Sequence, residues 1–148
     1  TAMVFAILLG ATAFSMAFSY TGGEEIVEHY LSNLPGGAMG FLILSMIAII
    51  ILGFFIDFVE ISFIIVPILL PAADALGIAP VWFAILIAMN LQTSFLTPPF
   101  GFSLFYLKGV APSNIRTVDI YRGVVPFIAI QVGVVISILL FPEFYGLN

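Results

Sequence analysis

The chain has 148 residues, 63% of them hydrophobic and 7% charged, against roughly 25% charged in an ordinary soluble domain, so its main solvent is a lipid bilayer. Three Lys/Arg against eight Asp/Glu give a net charge of -5, which leaves no basic surface for nucleic acid and no polybasic patch for anionic lipid. With no cysteine and His29 as its one histidine, thiolate metal sites, disulfides, thiol nucleophiles, iron–sulfur clusters and multi-histidine sites are excluded, and no reactive constellation is left for an intramembrane enzyme.

A bilayer core about 30 Å thick takes about 20 apolar residues as helix, and charge-free stretches run 1–23, 30–56, 61–73, 75–107 and 123–142. An all-α, polytopic membrane protein is expected. The chain opens on Thr1 rather than Met, and its first apolar run lacks a basic flank and a small-residue cleavage site. It is therefore not read as a signal peptide, and a piece of a longer protein is expected. Residues 1–20 predict a membrane-spanning helix. Ala2, Ala6, Gly10, Ala13 and Ala17 form a stripe of small residues that lets another helix approach closely in lipid, and this is the expected packing face.

Residues 21–36 predict an amphipathic arm in the membrane interface. After Thr21-Gly22-Gly23, the acids Glu24, Glu25 and Glu28 load the first turns, where the helix dipole favours them. Ile26, Val27, Tyr30, Leu31 and Leu34 share one side, and His29 falls on the exposed polar one. Pro35-Gly36-Gly37 then opens residues 37–77, two apolar limbs joined around Asp57 and Glu60. They are either two spanning helices or a re-entrant hairpin that enters and leaves on one side; both return the chain to the side it left. The junction contains no Lys or Arg, which favours re-entry. A carboxylate at membrane depth is a functional candidate by default, whereas in a cytoplasmic turn Asp57 and Glu60 mean little. Pro67 and Pro71 each remove a helical bond, from the carbonyls of Phe63 and Pro67, so this limb is expected to be irregular.

Residues 78–109 predict a helix broken at Thr97-Pro98-Pro99-Phe100-Gly101. Residues 110–148 supply a loop and the last span. Lys108, Arg116 and Arg122 are all the basic residues of the chain, which places the 108–122 loop in the cytoplasm, with the acidic arm and the final PEFYGLN outside.

The densest polar group lies just before that break. Asn90, Thr93 or Ser94, and Thr97 recur at helical spacing and form one polar face, which must point at protein or water. Pro98 lacks the N–H for the carbonyl of Ser94, and Pro99 lacks the one for Phe95, so two carbonyls are expected to be freed within an apolar segment. Either Ser and Thr side chains plug the kink, or an ion takes the carbonyls, as in broken transporter helices.

The strings GFFIDFVEISFIIVPILLP and NLQTSFLTPPFGFSLFYLKGVAP resemble the C-terminal part of the large membrane subunit of tripartite ATP-independent periplasmic (TRAP) transporters. Gly53 to Asp57 matches that family's Gly-x-x-x-Asp, Pro67 to Pro71 its Pro-x-x-x-Pro, and Thr97 to Gly101 its Thr-Pro-Pro-x-Gly. The three motifs stand in the same order, and the likeness extends over essentially all residues, including LGIAP at 76–80.

The resemblance implies one half of an elevator-type secondary transporter built from inverted repeats, related in architecture to divalent-anion/sodium symporters, in the bacterial inner membrane. It implies a re-entrant hairpin at 37–77, a broken helix at 78–109, and a first segment and arm that link scaffold to moving domain. Sodium is expected between hairpin tip and break, at Gly53, Asp57, Ser94, Phe95, Thr97 and Gly101. The organic anion is expected at Asn90, Thr93, Ser94 and Pro99. Two partners are implied: a small four-helix membrane subunit and a periplasmic substrate-binding protein. The family's first-half Ser-Gly-Ser hairpin and Pro-Pro-Ser break have no counterpart here, so at most half of the site is expected in this chain. Proton coupling through Asp57 stays within the transporter class. A channel or structural membrane subunit with a packed, kinked helix is the alternative, and it predicts no sodium dependence.

Overall fold

The computed structural model describes residues 2–98, 102–112 and 114–147, and every regular element among them is helical. In order these are α1 (Ala2–Tyr20), α2 (Gly23–Ser32), α3 (Gly37–Leu52), α4 (Phe58–Glu60), a π-helical turn (Ile61–Ile65), α5 (Val66–Ala75), α6 (Pro80–Leu96), α7 (Phe102–Val110), α8 (Thr117–Leu140) and a closing 3-10 turn (Pro142–Tyr145). α4, the π-turn and α5 are continuous, so Phe58–Ala75 joins Ala2–Tyr20 and Thr117–Leu140 as a helix long and apolar enough to cross a membrane. α6 is apolar but has only 17 residues, about 25 Å at 1.5 Å per residue. The chain is a helical, multi-pass membrane protein.

Glycine sets the sharpest corner. Gly36 and Gly37 take φ of 98° and 57°, a left-handed geometry that costs glycine little, and there α3 leaves α2 at 116°. α2 then lies along α5; Val27 and Leu31, and Leu34 just beyond it, are half-buried, while Ile26 and Tyr30 are exposed. The arm thus uses only part of its expected apolar side, because Val27, Leu31 and Leu34 at spacings of four and three form a narrower stripe than the five residues together.

The expected packing face of α1 is not the one this chain uses. Ala2, Ala6, Gly10, Ala13 and Ala17 are all exposed. α1 instead lies against the π-turn; on its opposing side Ala11 is buried and Ile7, Ser15 and Phe18 are half-buried. Both rows are helical stripes, and on a helix apolar all round nothing local chooses between them.

The irregular limb has a definite form. Val66 donates its N–H to the carbonyl of Ile61, a π-type bond spanning five residues. Pro67 follows immediately; it lacks an N–H and its ring would press on the carbonyl four residues back. Widening the preceding turn by one residue relieves that clash without ending the helix.

The core lies between α3, the Phe58–Ala75 rod, α6 and α8, with Phe41, Leu42, Ile49, Ile61 and Leu86 fully buried. The Trp82 indole donates to the carbonyl of Ile138 at 3.0 Å, tying α6 to α8.

Candidate functional site

Three contacts set how α3 meets α6. The rings of Phe41 and Phe83 stand 5.7 Å apart; the Asn90 side-chain amide donates to the carbonyl of Met46 at 2.7 Å; and a Cβ built on Gly53 would come 2.8 Å from the Cβ of Ser94. The partners climb together along both helices, so α3 and α6 run parallel and their C-terminal ends arrive at one level. Gly53, the first residue after α3, is buried against Ser94, and Thr97 closes α6 one turn further on. Each helix C-terminus carries roughly half a negative charge. Two of them meeting in an apolar protein make a place that favours a cation.

The polar layer at this junction is buried. Asn90, Thr93 and Ser94 are at most 1% exposed, and Thr97 is half-buried. A cavity of about 180 Å³ between α3, α6 and α8 touches Asn90 and Thr93 and is otherwise apolar.

None of the three hydroxyl protons is left free. Thr93 donates to the carbonyl of Met89 at 2.9 Å, Ser94 to that of Leu91 at 2.8 Å and Thr97 to that of Thr93 at 2.8 Å. Nor is the Ser94 carbonyl freed by Pro98: the Thr97 N–H reaches it at 3.2 Å. Shifting to a bond spanning three residues is the usual way a helix end satisfies an orphan carbonyl. The acceptor capacity survives, since each hydroxyl keeps its lone pairs after donating its proton and each carbonyl has a second lone pair. Pro99 and Gly101 lie outside the described residues, and with Pro99 goes the expectation that the Phe95 carbonyl is freed.

Asp57 has a local task. Its φ of -71° and ψ of 155° make it the N-cap of α4, and its Oδ1 accepts the Phe58 N–H at 2.7 Å. This offsets the positive end of the Phe58–Ala75 helix. Asp57 and Glu60 are half-buried. Phe58 meets Phe95 edge to face at 5.7 Å, which brings the start of this helix to the end of α6. The hairpin turn and the break therefore come together at Gly53–Ser94 and at Phe58–Phe95. No group of three or more His, Cys, Asp or Glu side chains converges among the described residues. Besides the Asp57 carboxylate, the oxygens on offer are neutral hydroxyls and carbonyls, the ligand type that hard cations take.

Two polar residues outside the expected set lie close by. Ser62 on the π-turn and exposed Gln92 on α6 line a groove of about 430 Å³ between the Phe58–Ala75 rod and α6. The recurrence of Ala84, Ala88 and Gln92 every four residues is the sequence signal that marks it. On the loop, the Lys108 ammonium donates to the carbonyl of Ile115 at 2.6 Å, and Arg116 pairs with Asp119 at 3.1 Å.

Residues 1–144 match the family model described as tripartite ATP-independent periplasmic transporter, DctM component. Among curated relatives, the sialic acid TRAP transporter large permease protein SiaM of Vibrio cholerae serotype O1 is 29% identical over 144 residues, covering 97% of this chain and 33% of that protein. The ectoine/5-hydroxyectoine TRAP transporter large permease protein UehC of Ruegeria pomeroyi is 27% identical, over 97% of this chain and 33% of its own length. The C4-dicarboxylate TRAP transporter large permease protein DctM of Rhodobacter capsulatus is 30% identical, over 81% and 27%. The chain spans about a third of the length of such relatives, 33% for the first two. No solved structure matches it.

Proposed function

The chain belongs to the DctM family, the large permease component of tripartite ATP-independent periplasmic transporters, and from that membership we propose that it forms part of a sodium-coupled secondary transporter importing an organic anion across the bacterial inner membrane. A periplasmic binding protein delivers the anion, a small four-helix membrane subunit completes the permease, and the part that holds the substrate moves as an elevator. The relatives are named for sialic acid, ectoine and C4-dicarboxylates, compounds that share a carboxylate.

The observation that carries sodium coupling is the meeting of the C-termini of α3 and α6 at Gly53 and Ser94. Residues 1–107 contain no Lys or Arg, so this stretch offers a carboxylate no basic side chain. A sodium ion at the junction would meet the two dipole ends, the Ser94 carbonyl and the Thr97 hydroxyl, and would supply the positive charge that the anion needs. Residues 37–77 act as a re-entrant hairpin on this reading, with the turn at Gly53–Asp57 as its tip. Uptake in vesicles reconstituted with the complete permease, small subunit and binding protein, with sodium and proton gradients imposed separately, tests it. Accumulation is expected with the sodium gradient alone. Accumulation driven only by protons would move the coupling to a carboxylate, with Asp57 first in line.

A second reading, a channel or structural subunit with a packed break, draws on the hydroxyls of Thr93, Ser94 and Thr97, which all donate to their own helix. It expects no response to either gradient.

A further inference from the structure

The C-terminal end of α8 is short of donors. Pro142 has no N–H to give the Ile138 carbonyl, and the Trp82 indole takes that carbonyl instead at 3.0 Å. The Phe144 N–H goes to the carbonyl of Phe141, and no donor among the described residues reaches the carbonyls of Leu139 and Leu140. Bare carbonyls at this point carry the negative end of the helix dipole. Close by, Glu143 makes no ion pair among the described residues, and Arg116 and Arg122 stand at the start of α8. A pocket of about 720 Å³ joins these groups: Leu139, Leu140 and Glu143 line it together with Trp82, Phe141 and Phe144. Carbonyls, a carboxylate and aromatic rings are what an organic cation takes. The turn that carries Glu143 and Phe144 is held in place, because the Tyr145 hydroxyl meets Ser137 Oγ at 2.9 Å while Ser137 donates to the Val134 carbonyl.

This pocket lies at a membrane surface and continues inward. Residues 123–141 carry no charge and as helix cover about 28 Å, the depth of a hydrocarbon core, so the turn at Pro142–Tyr145 emerges among headgroups. Leu139 lines both this pocket and the cavity of about 180 Å³ between α3, α6 and α8. Met39, Ile43 and Ile47 follow the seam along α3, and Leu139, Ile136 and Val132 follow it along α8. A cation pocket at the surface thus opens onto an apolar channel that runs toward the bilayer centre.

We infer that this seam holds one phospholipid whose headgroup ends in a primary ammonium, a phosphatidylethanolamine. Its ammonium donates to the carbonyls of Leu139 and Leu140 and pairs with Glu143, and one acyl chain lies between α3 and α8. A soluble amine or a lysine of a partner protein would satisfy the polar end alone; the apolar seam below it selects a lipid. A choline headgroup has no N–H for the carbonyls, and phosphatidylglycerol has no cation. Neither sodium coupling nor anion import is needed for this, since a multi-pass membrane protein is enough.

The test uses the complete permease with its small subunit, purified from vesicles of phosphatidylethanolamine, phosphatidylcholine and phosphatidylglycerol in equal amounts, with the retained lipid counted by native mass spectrometry. The difference between native and variant protein reads this site alone. Ile136→Trp fills the seam, and the lipid it loses is expected to be phosphatidylethanolamine. Glu143→Gln removes the charge at constant size and is expected to lower retention of that lipid about threefold, the worth of an exposed ion pair. Glu143 is exposed, so this variant keeps the fold, and its thermal midpoint is checked alongside. Glu28→Gln, on the arm, is expected to retain the native amount. A native amount in Glu143→Gln would overturn the assignment, as would a loss in Ile136→Trp that follows the composition of the vesicles. Displacement of the lipid by excess soluble phosphoethanolamine would show that the seam adds nothing and would overturn a lipid as the occupant. Weaker docking of the binding protein in Glu143→Gln, with lipid retention unchanged, would give the pocket to that protein instead. Uptake is no part of this readout, so either result leaves sodium coupling to its own test.

Discussion

Gly53 sits so tightly beneath Ser94 that a methyl group added to it would stand 2.8 Å from the Ser94 Cβ, closer than two carbons can pack. The contact is the point at which the turn after α3 touches the end of α6, so anything that enlarges it pushes the two helix C-termini apart. Gly53→Ala is expected to cost about 1–3 kcal/mol, the usual range for overpacking a filled interior. Its thermal midpoint would read this directly, and the sodium concentration for half-maximal uptake would rise with it. Unchanged values of both would mean that the tip shifts freely and positions nothing.

Asn90 provides the polar tie between the same two helices, donating to the Met46 carbonyl at 2.7 Å from a site 1% exposed. Asn90→Leu keeps the number and branching of side-chain heavy atoms, with bulkier methyls, and removes the donor. A loss of about 1 kcal/mol is expected, because such bonds in membranes are worth roughly 0.6 to 2. Thermal unfolding of the purified permease measures it, and a gain in stability would show that the amide is kept for substrate and not for packing.

How far these features were legible in the sequence differs from residue to residue. The helical breaks at Gly36-Gly37 and at Thr97-Pro98 could be read locally, because glycine geometry and a missing N–H act within one turn. That Asn90, Thr93 and Ser94 avoid lipid follows from polarity alone, whereas their burial against protein and not water does not. The parallel pairing of α3 with α6 could not be read. Phe41 with Phe83 and Gly53 with Ser94 are about forty residues apart, and apolar segments carry no signal for register at that distance. Whether Thr93, Ser94 and Thr97 turn back to their own helix was left open for another reason. A hydroxyl near a helix end can turn to its own backbone or outward, and the sequence is the same either way. Pro67 announced irregularity but left open its form, and the π-turn is only one of several adjustments a proline permits.

The basic loop allows a test of orientation. Lys108, Arg116 and Arg122 cluster between the end of α7 and the start of α8, and positive residues stay on the cytoplasmic side. A cysteine at Asn114, introduced into a permease made free of other cysteines, is expected to react with a membrane-impermeant maleimide only in inside-out vesicles. Labelling in intact cells with an opened outer membrane would invert the whole topology.

Asp57 separates capping from ion binding. Its Oδ1 holds the Phe58 N–H at 2.7 Å, and loss of an N-cap costs typically about 1 kcal/mol. Asparagine caps nearly as well as aspartate but has no charge. Asp57→Asn is therefore expected to unfold at nearly the native temperature and Asp57→Ala about 1–2 °C lower. If the carboxylate also serves the ion, Asp57→Asn will need more sodium for half-maximal uptake despite its normal stability. Equal sodium dependence in both variants and the native permease would reduce Asp57 to a cap.

The break itself gives the sharpest test of the sodium reading. At present the Ser94 carbonyl accepts the Thr97 N–H at 3.2 Å and keeps a lone pair, because Pro98 has no N–H to offer it. Replacing Pro98 and Pro99 together by alanine supplies the missing donors, lets α6 continue, and turns these carbonyls along the helix axis. The cation then loses the oxygens at the end of α6 and, as the helix lengthens, the dipole end beside Gly53. In the complete transporter this double variant is expected to raise the sodium needed for half-maximal uptake at least tenfold, about 1.4 kcal/mol of ion binding. The binding protein's affinity for its substrate stays as it was, since that protein is untouched. Thr97→Val removes one hydroxyl at nearly constant volume and is expected to do the same more weakly. Thr97 donates to the carbonyl of Thr93 at 2.8 Å, so its loss also leaves that carbonyl without the hydroxyl; the thermal midpoint, measured alongside, separates a looser helix end from a lost ligand. Uptake that keeps its native sodium dependence in both variants would make the break a packed kink and move the ion to the two thirds of the permease beyond this chain.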